Sequence, residues 1–417
     1  MKVVVQKFGG TCVESEENQL QSAERIMEAR DRGLHPVVVV SAMGREGQPY
    51  STAELVQMVT RIDPRIEPRE LDLLMSCGEI ISTVAMAHLL ATKGYETIAF
   101  SGGQAGLITD GFFGRARIVR IQADPLLRAL QDGYIVFVAG FQGNTPDHQI
   151  TTLGAGGSDY TAVALTWVIQ ETPQLPFGEK LEVAPLQVYK EVDGVMTANP
   201  GSLPENERAR TIVSLTYDEC VWMSRLGAEV VQQQAGEMAR QHRIPLIVRN
   251  YRDADVPGTQ VGAASSSARD DRATAIADQA RLVVFDLETQ NRRLALQTVE
   301  RLDRERLTHY QLNSDGPHPR FAVLPIKYRD VRLIVEQILA AKGIPNRVNV
   351  GDFALVSVVG EALRQRLESW SEEAERVLAD GRIEIHGRSQ DEISLSYLVP
   401  EAQRKKALGL LHRHLVL

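Results

Sequence analysis

At 417 residues the chain exceeds what one ordinary hydrophobic core organises, so two or three domains are expected. A hydrophobic share of 43% beside 24% charged residues is that of a globular protein, and no run of about 18 apolar residues marks a membrane span. The net charge of −8, with basic residues scattered and not interleaved with aromatics, argues against nucleic-acid binding and leaves small molecules as the expected partners.

Lys2-Val3-Val4-Val5-Gln6 reads as a strand with no signal-peptide pattern ahead of it, so cytoplasmic residence is expected. It runs into Lys7-Phe8-Gly9-Gly10-Thr11, after which residues 14–33 read as a helix. Pro36-Val37-Val38-Val39-Val40 is a continuous apolar run of the buried parallel kind, followed by Ser41-Ala42-Met43-Gly44. Ligands of open α/β sheets bind beyond the carboxyl ends of the strands, so these two loops form an expected phosphate cradle with Lys7 as its cation. An exposed lysine at a strand end is the plainer alternative.

A polar loop, residues 45–52, could fold over a substrate. Residues 71–90 read as a helix interrupted at Ser76-Cys77-Gly78-Glu79, where a carboxylate among small and apolar neighbours calls for a cation such as a substrate ammonium. A surface glutamate is the plainer reading. Strand-like Thr97-Ile98-Ala99-Phe100 and residues 134–139 continue the alternation, which implies a mostly parallel, three-layer α/β domain. Cys12, Cys77 and Cys220 are odd in number, widely spaced and free of CxxC pairs, so no disulfide framework and no metal site are expected.

The turn Gly154-Ala155-Gly156-Gly157-Ser158-Asp159 opens onto an apolar run, residues 161–167. Ser158 and Asp159 suit an N-cap, and a helix start behind a glycine turn suits an anion, unless the turn merely caps the helix. Residues 186–189 read as a strand, with turn signals at Asp193-Gly194 and Asn199-Pro200 beyond it. A helix over 217–241 and a strand over 245–249 complete a domain of residues 1–262, and 263–275 reads as a linker. Residues 276–417 show two shorter cycles. The first has a strand over 282–286, a helix near 292–303 and a strand over 321–324; the second has a strand over 353–359, a helix over 362–378, strands over 383–386 and 393–398 and a closing helix to His414, which suggests small α+β modules.

Lys7-Phe8-Gly9-Gly10-Thr11, Val39-Val40-Ser41-Ala42-Met43-Gly44, Ser76-Cys77-Gly78-Glu79 and residues 154–160 together resemble the aspartokinases. Glu191-Val192-Asp193-Gly194-Val195-Met196-Thr197-Ala198 and Leu226-Gly227-Ala228 extend the match, and residues 41–52 and 65–82 look like the diaminopimelate-branch aspartokinases of Gram-positive bacteria. The resemblance implies an amino-acid-kinase fold followed by paired ACT domains, which sense end-product amino acids and help form homodimers. It implies transfer of the γ-phosphoryl of ATP, with Mg2+, to the β-carboxylate of aspartate, the first step towards lysine, threonine and methionine. Carried over by position, Lys7 stabilises the moving phosphoryl group, Gly9, Gly10, Thr11 and Ser41 cradle it, and Asp159 organises the catalytic lysines. Thr52, Glu79, Phe141, Ala155 and Ser158 stand at substrate positions, with Glu79 receiving the ammonium. Lys190, Glu191, Met196 and Glu229 stand at nucleotide positions.

Several positions depart from the family pattern. Ala155 replaces an arginine that grips a substrate carboxylate, and Glu229 replaces a lysine that faces the ATP phosphates. Gln232-Gln233-Gln234 replaces a Pro-Arg stretch, Lys190-Glu191 replaces Thr-Asp, Asn199-Pro200-Gly201 replaces Asp-Pro-Arg, Cys12 replaces Ser, and residues 361–365 lack the Pro-Gly of the effector loop. Lys190 is the residue placed to return a cation to the nucleotide pocket. Three readings therefore stand: an aspartate kinase, a kinase for another small acid, or a catalytically impaired paralogue that acts as a regulatory or partner subunit of an aspartokinase.

Overall fold

A computed structural model of the chain describes residues 1–175, 178–228, 231–263, 272–287, 292–312, 320–324, 328–340 and 346–417. They fall into two compact units. The first comprises Met1–Val195, Thr211–Val221 and Val230–Ser265, and the second Met196–Arg210, Trp222–Glu229 and Ser266–Leu417.

The first unit is built on a nine-stranded sheet. Its centre is six adjacent parallel strands in the order Leu246–Asn250, Leu186–Lys190, Lys2–Phe8, His35–Val40, Ile135–Ala139 and Thr97–Phe100. Val3 to Val5 and Val37 to Val40 are wholly buried, because parallel strands covered on both faces need apolar side chains on both. Phe8, Val38, Val40 and Phe137 pack with Ile26, Met86 and Leu90 of the helices Glu16–Asp31 and Pro68–Ala91 on one face. The helix Gly157–Gln170 covers the strands Lys2–Phe8 and Leu186–Lys190, completing three layers. Ser15 caps the first helix by accepting the N–H of Asn18, so that helix starts two residues later than its apolar pattern suggests.

Three expectations are corrected, and one sheet is added. The Pro68–Ala91 helix is unbroken: Ser76, Glu79, Ser82 and Thr83 form its buried face, and Ser82 Oγ donates to Ser41 O at 2.7 Å. By length and composition this helix would also pass for a bilayer span, contrary to the sequence reading, yet Asp72 and Glu79 point into the unit with 1% and 3% exposure. Residues 217–241 form two helices, Tyr217–Arg225 and Gln233–His242, because Gly227 turns the chain at φ 105°. A four-stranded sheet of short segments was not expected at all: Ile118–Ile121, Leu107–Thr109, Gln142–Asn144 and Ile150–Thr152.

The second unit carries a six-stranded antiparallel sheet, in the order His309–Leu312, Arg320–Val323, Ala275–Leu287, Asn346–Val359, Ser394–Pro400 and Gly387–Asp391. Its two central strands are longer than the apolar runs 282–286 and 353–359 suggest, and the edge strand is Gly387–Asp391 instead of 383–386. The helix expected over 362–378 is a short 3-10 turn, Glu361–Gln365, and then Leu367–Asp380. The chain closes with the helix Arg404–Leu411 and a π turn, His412–Val416. Two cores share the sheet: Val283, Phe285, Phe321, Val331 and Val335 at one end, and Ile276, Val356, Trp370, Leu395, Leu408 and Leu411 at the other. Of the expected linker 263–275, residues 264–271 lie outside the described residues, and Ala275 already begins a strand.

Candidate active site

The carboxyl ends of adjacent parallel strands converge where the glycine turns lie. Lys7 stands near the end of Lys2–Phe8, in register with Val39 on one side and Val188 on the other. Its Nζ lies 2.8 Å from Asp159 Oδ1, and both side chains are more than nine-tenths buried. A buried ion pair of this kind gains only if its remaining valences are met. One of them is: Asp159 Oδ2 accepts the N–H of Gln232 at 3.0 Å. Burial pushes the Asp159 carboxyl up, but Lys7, then Lys190, then the hydrogen bonds outweigh it and hold the group below the usual carboxylate range. Lys7 pairs with this carboxylate directly, and Lys190 on the neighbouring strand acts on it through its charge.

The loops around this pair are close-packed. A β-carbon on Gly10 would lie 2.7 Å from Ala42 O, so only glycine lets the loops after the first two strands touch. Gly9 sits beside the Lys7 ammonium, the site a β-carbon would occupy being 3.6 Å from Nζ. Thr11 lies in the short 3-10 turn Gly10–Val13, and Ser41 N–H donates to Phe8 O at 3.1 Å. Thr52 opens the helix Thr52–Thr60, whose N-cap is Ser51. Arg45 makes a two-pronged contact with Glu191, at 2.8 and 2.9 Å, and reaches Glu14 at 3.7 Å; Arg45 and Glu191 are exposed, so their contact stabilises little.

The glycine turn differs in one respect from its expected form. Neither Ser158 nor Asp159 is the N-cap of Gly157–Gln170; Gly156 takes that place in the left-handed conformation. Ser158 and Asp159 are instead buried at 5% exposure in the first helical turn, while Ala155 is exposed. Phe141 holds φ 68°, a costly conformation for an aromatic residue, fixed by its N–H to Thr161 Oγ1 at 3.2 Å and by Leu153 N–H to its carbonyl at 2.8 Å.

Glu79 projects from the Pro68–Ala91 helix into this unit. Its Oε1 accepts the N–H of Ala42 at 3.2 Å, and its buried Oε2 has no hydrogen-bond partner. Burial pushes its carboxyl up to about 8, against the Ala42 and helix N–H bonds. Such a group is matched to a cation brought in from outside.

The sequence reading missed one residue, Asp72, and named Gln232 only as a departure from the family pattern. Asp72, 1% exposed, accepts Gly114 N–H at 2.8 Å, Thr152 N–H at 2.8 Å and Thr152 Oγ1 at 2.7 Å, tying a loop and a strand together. Its signal was spacing, since it lies seven residues before Glu79 and so on the same helix face. Gln232 acts through its backbone N–H, which leaves no side-chain signal. Met196 belongs to the second unit, and Glu229 lies outside the described residues. Among the described residues no group of three or more His, Cys, Asp and Glu is arranged to hold a metal ion.

Comparison with known proteins bears on this geometry. Residues 2–250 match the amino acid kinase family. The chain is 33% identical to an aspartokinase of Bacillus sp. (strain MGA3), across 99% of this chain and 97% of that one. Identity rises to 38% with aspartokinase 1 of Bacillus subtilis, across 64% and 62% of the two chains. Among solved structures, E. coli aspartokinase III in complex with aspartate and ADP (R-state) superposes with a TM-score of 0.76 at 20% identity, covering 99% of both chains. The same enzyme in complex with lysine and aspartate (T-state) gives 0.70 at 21%, over the full length of each; at such identities the likeness is one of fold. On sequence, the chain belongs to the amino acid kinase family and, within it, to the aspartokinases.

Proposed function

We propose that this chain phosphorylates the β-carboxylate of L-aspartate from ATP, giving 4-phospho-aspartate and ADP. The observation that carries the reading is the buried Lys7–Asp159 pair facing the same unit as the unpartnered Glu79 Oε2. A β-carboxylate oxygen attacks the γ-phosphorus as the bond to the ADP oxygen breaks, and no proton need move. The demand on the protein is therefore positioning and positive charge. Lys7 supplies that charge at the phosphoryl group, with Gly9, Gly10, Thr11 and Ser41 around it. Lys190, already felt by Asp159, is the second cation and answers the loss of a lysine at 229. Glu79 holds the aspartate ammonium, while Thr52, Phe141 and Ser158 shape the acceptor pocket. Magnesium would enter with the nucleotide, since Mg2+ takes phosphate oxygens and water.

The second unit, with two cores on one sheet, is read as a paired ACT-like regulatory region that binds an amino-acid effector and contributes to a homodimer or to association with an aspartokinase paralogue. The protein would then act in the cytoplasm at the entry to lysine and related amino-acid biosynthesis. The alternative of an impaired paralogue loses ground to the intact Lys7–Asp159 pair.

The test is trapping of the acyl phosphate as hydroxamate with MgATP and aspartate. Turnover in the wild type that Lys7→Ala lowers at least about a thousandfold is the expected outcome, in keeping with the loss of a transition-state charge contact. Wild-type turnover no higher than that of Lys7→Ala sinks the reading.

A further inference from the structure

The loop of residues 42–52 has both ends seated on the helix turn that carries Glu79. At its start, Ala42 N–H donates to Glu79 Oε1 at 3.2 Å. At its end, a β-carbon on Gly78 would lie 3.1 Å from Tyr50 O and 2.9 Å from the Ala42 side chain, so a larger residue there would push the loop off the helix. Ser51, 2% exposed, then caps Thr52–Thr60 by accepting Glu54 N–H at 3.3 Å. Between these feet the loop closes on itself, since Gln48 N–H donates to Arg45 O at 2.9 Å and Gly47 N–H to Glu54 Oε1 at 3.0 Å. Its middle reaches away from the helix: Arg45 Nη2 donates to both carboxylate oxygens of Glu191, at 2.8 and 2.9 Å, and Arg45 Nε lies 3.7 Å from Glu14 Oε2. Glu191 directly follows the strand Leu186–Lys190, and in the sheet Lys2–Phe8 lies between that strand and His35–Val40, from which the loop comes. To cross two strand spacings, about 10 Å, the loop must pass over the glycine loop that follows Lys2–Phe8. It touches that loop on the way, where Gly44 N–H donates to Gly10 O at 3.4 Å.

We propose that Arg45 is a positioning residue that straps the acceptor side of the site to the nucleotide side, so that filling one tightens the other. The inference rests on the aspartate kinase reading above, in which Glu191 stands at a nucleotide position. Nucleotide beside Glu191 fixes the far end of the strap, and the strap fixes the loop. The loop in turn fixes Ala42 and Tyr50 against the turn that offers Glu79 to an ammonium. Less ordering is left for aspartate to do, which is positive coupling between the two ligands. An exposed ion pair suits this use, because it opens and closes at small cost. It also sets a ceiling, since coupling through the strap cannot exceed the free energy of the pair, which corresponds to about a fivefold change in affinity.

Calorimetric titration of the full chain measures the affinity for L-aspartate with and without saturating ADP and Mg2+. The wild type should bind L-aspartate up to about fivefold more tightly when nucleotide is present. Arg45→Ala should bring that factor to about one, and Arg45→Lys should keep part of it. Raising the salt from about 0.05 M to about 0.5 M should shrink the factor in the wild type and leave the Arg45→Ala factor where it is, because the pair is open to screening. Glu191→Ala should lose the coupling as well, and adding it to Arg45→Ala should cost no further coupling, as for two partners of one contact. If Arg45→Ala weakens L-aspartate equally with and without nucleotide, or if the wild type binds each ligand without regard to the other, the strap is overturned and the kinase reading stands. A wild-type protein that binds neither ligand overturns both.

Discussion

Glu79 shows how one side chain can be both legible and sharper in the structure. Its place among small and apolar residues already called for a cation, and the structure adds an oxygen without a partner and a carboxyl pushed up to about 8 by burial. Near neutral pH the free protein therefore holds a proton on Glu79, which an ammonium ligand must displace. Aspartate binding near pH 7 should release about one proton, and affinity should fall roughly tenfold per pH unit below 8. Titrations in buffers of different ionisation enthalpy measure the release, and Glu79→Gln should abolish it. A proton count near zero in the wild type sinks this account. Asp72 and Gln232 were not legible in the same way, because Asp72 acts by pinning backbone and Gln232 by its own N–H.

Elements were legible where burial was combined with length. The valine runs Val3 to Val5 and Val37 to Val40 are unambiguous because both faces of each strand are covered. Gln142–Asn144 and Ile150–Thr152, each three residues long, offer too little pattern to be seen, and the turn at Gly227 hides inside an otherwise helical composition. The meeting of the loops after Lys2–Phe8 and His35–Val40 is where element geometry makes the strongest demand. Since a β-carbon at Gly10 meets backbone Ala42 O at 2.7 Å, Gly10→Ala cannot be absorbed by a side-chain swing. A loss of about 1–3 kcal/mol in stability is expected, by analogy with overpacked cores, together with weaker ATP binding because Gly9 and Lys7 move with the loop. Denaturant unfolding and nucleotide titration measure the two. Unchanged values in both would falsify the claim that these loops are held in contact.

At the scale of the whole chain, the order of an α/β unit and a later α+β unit was readable, but the return of Met196–Arg210 to the second unit was not. Ala198 and Leu203 join its core from a stretch whose sequence signals only turns. That core also buries His412, whose Nε2 is 2.8 Å from Thr197 Oγ1 and whose Nδ1 is 3.9 Å from Glu207 Oε2. Burial pulls the His412 pKa below 6.5, with Glu207 opposing and Arg210 reinforcing the shift. The unfolded chain then takes up a proton that the folded unit resists, so the stability attached to His412 is complete above pH 6.5 and declines as the pH falls below it. Glu79 has the opposite sign: its pKa rises from 4.5 to about 8 on folding, so its contribution is complete below 4.5 and is lost as the pH rises towards 8. Between about pH 5 and about pH 6.5 the two groups pull stability in opposite directions, each by at most about 1.4 kcal/mol per pH unit. Unfolding free energies across that window should show the wild type losing stability relative to Glu79→Gln as the pH rises, and gaining it relative to His412→Gln. Differences that stay constant with pH, or that change in the same direction for both variants, would mean that these two buried groups do not set the pH response of the molecule.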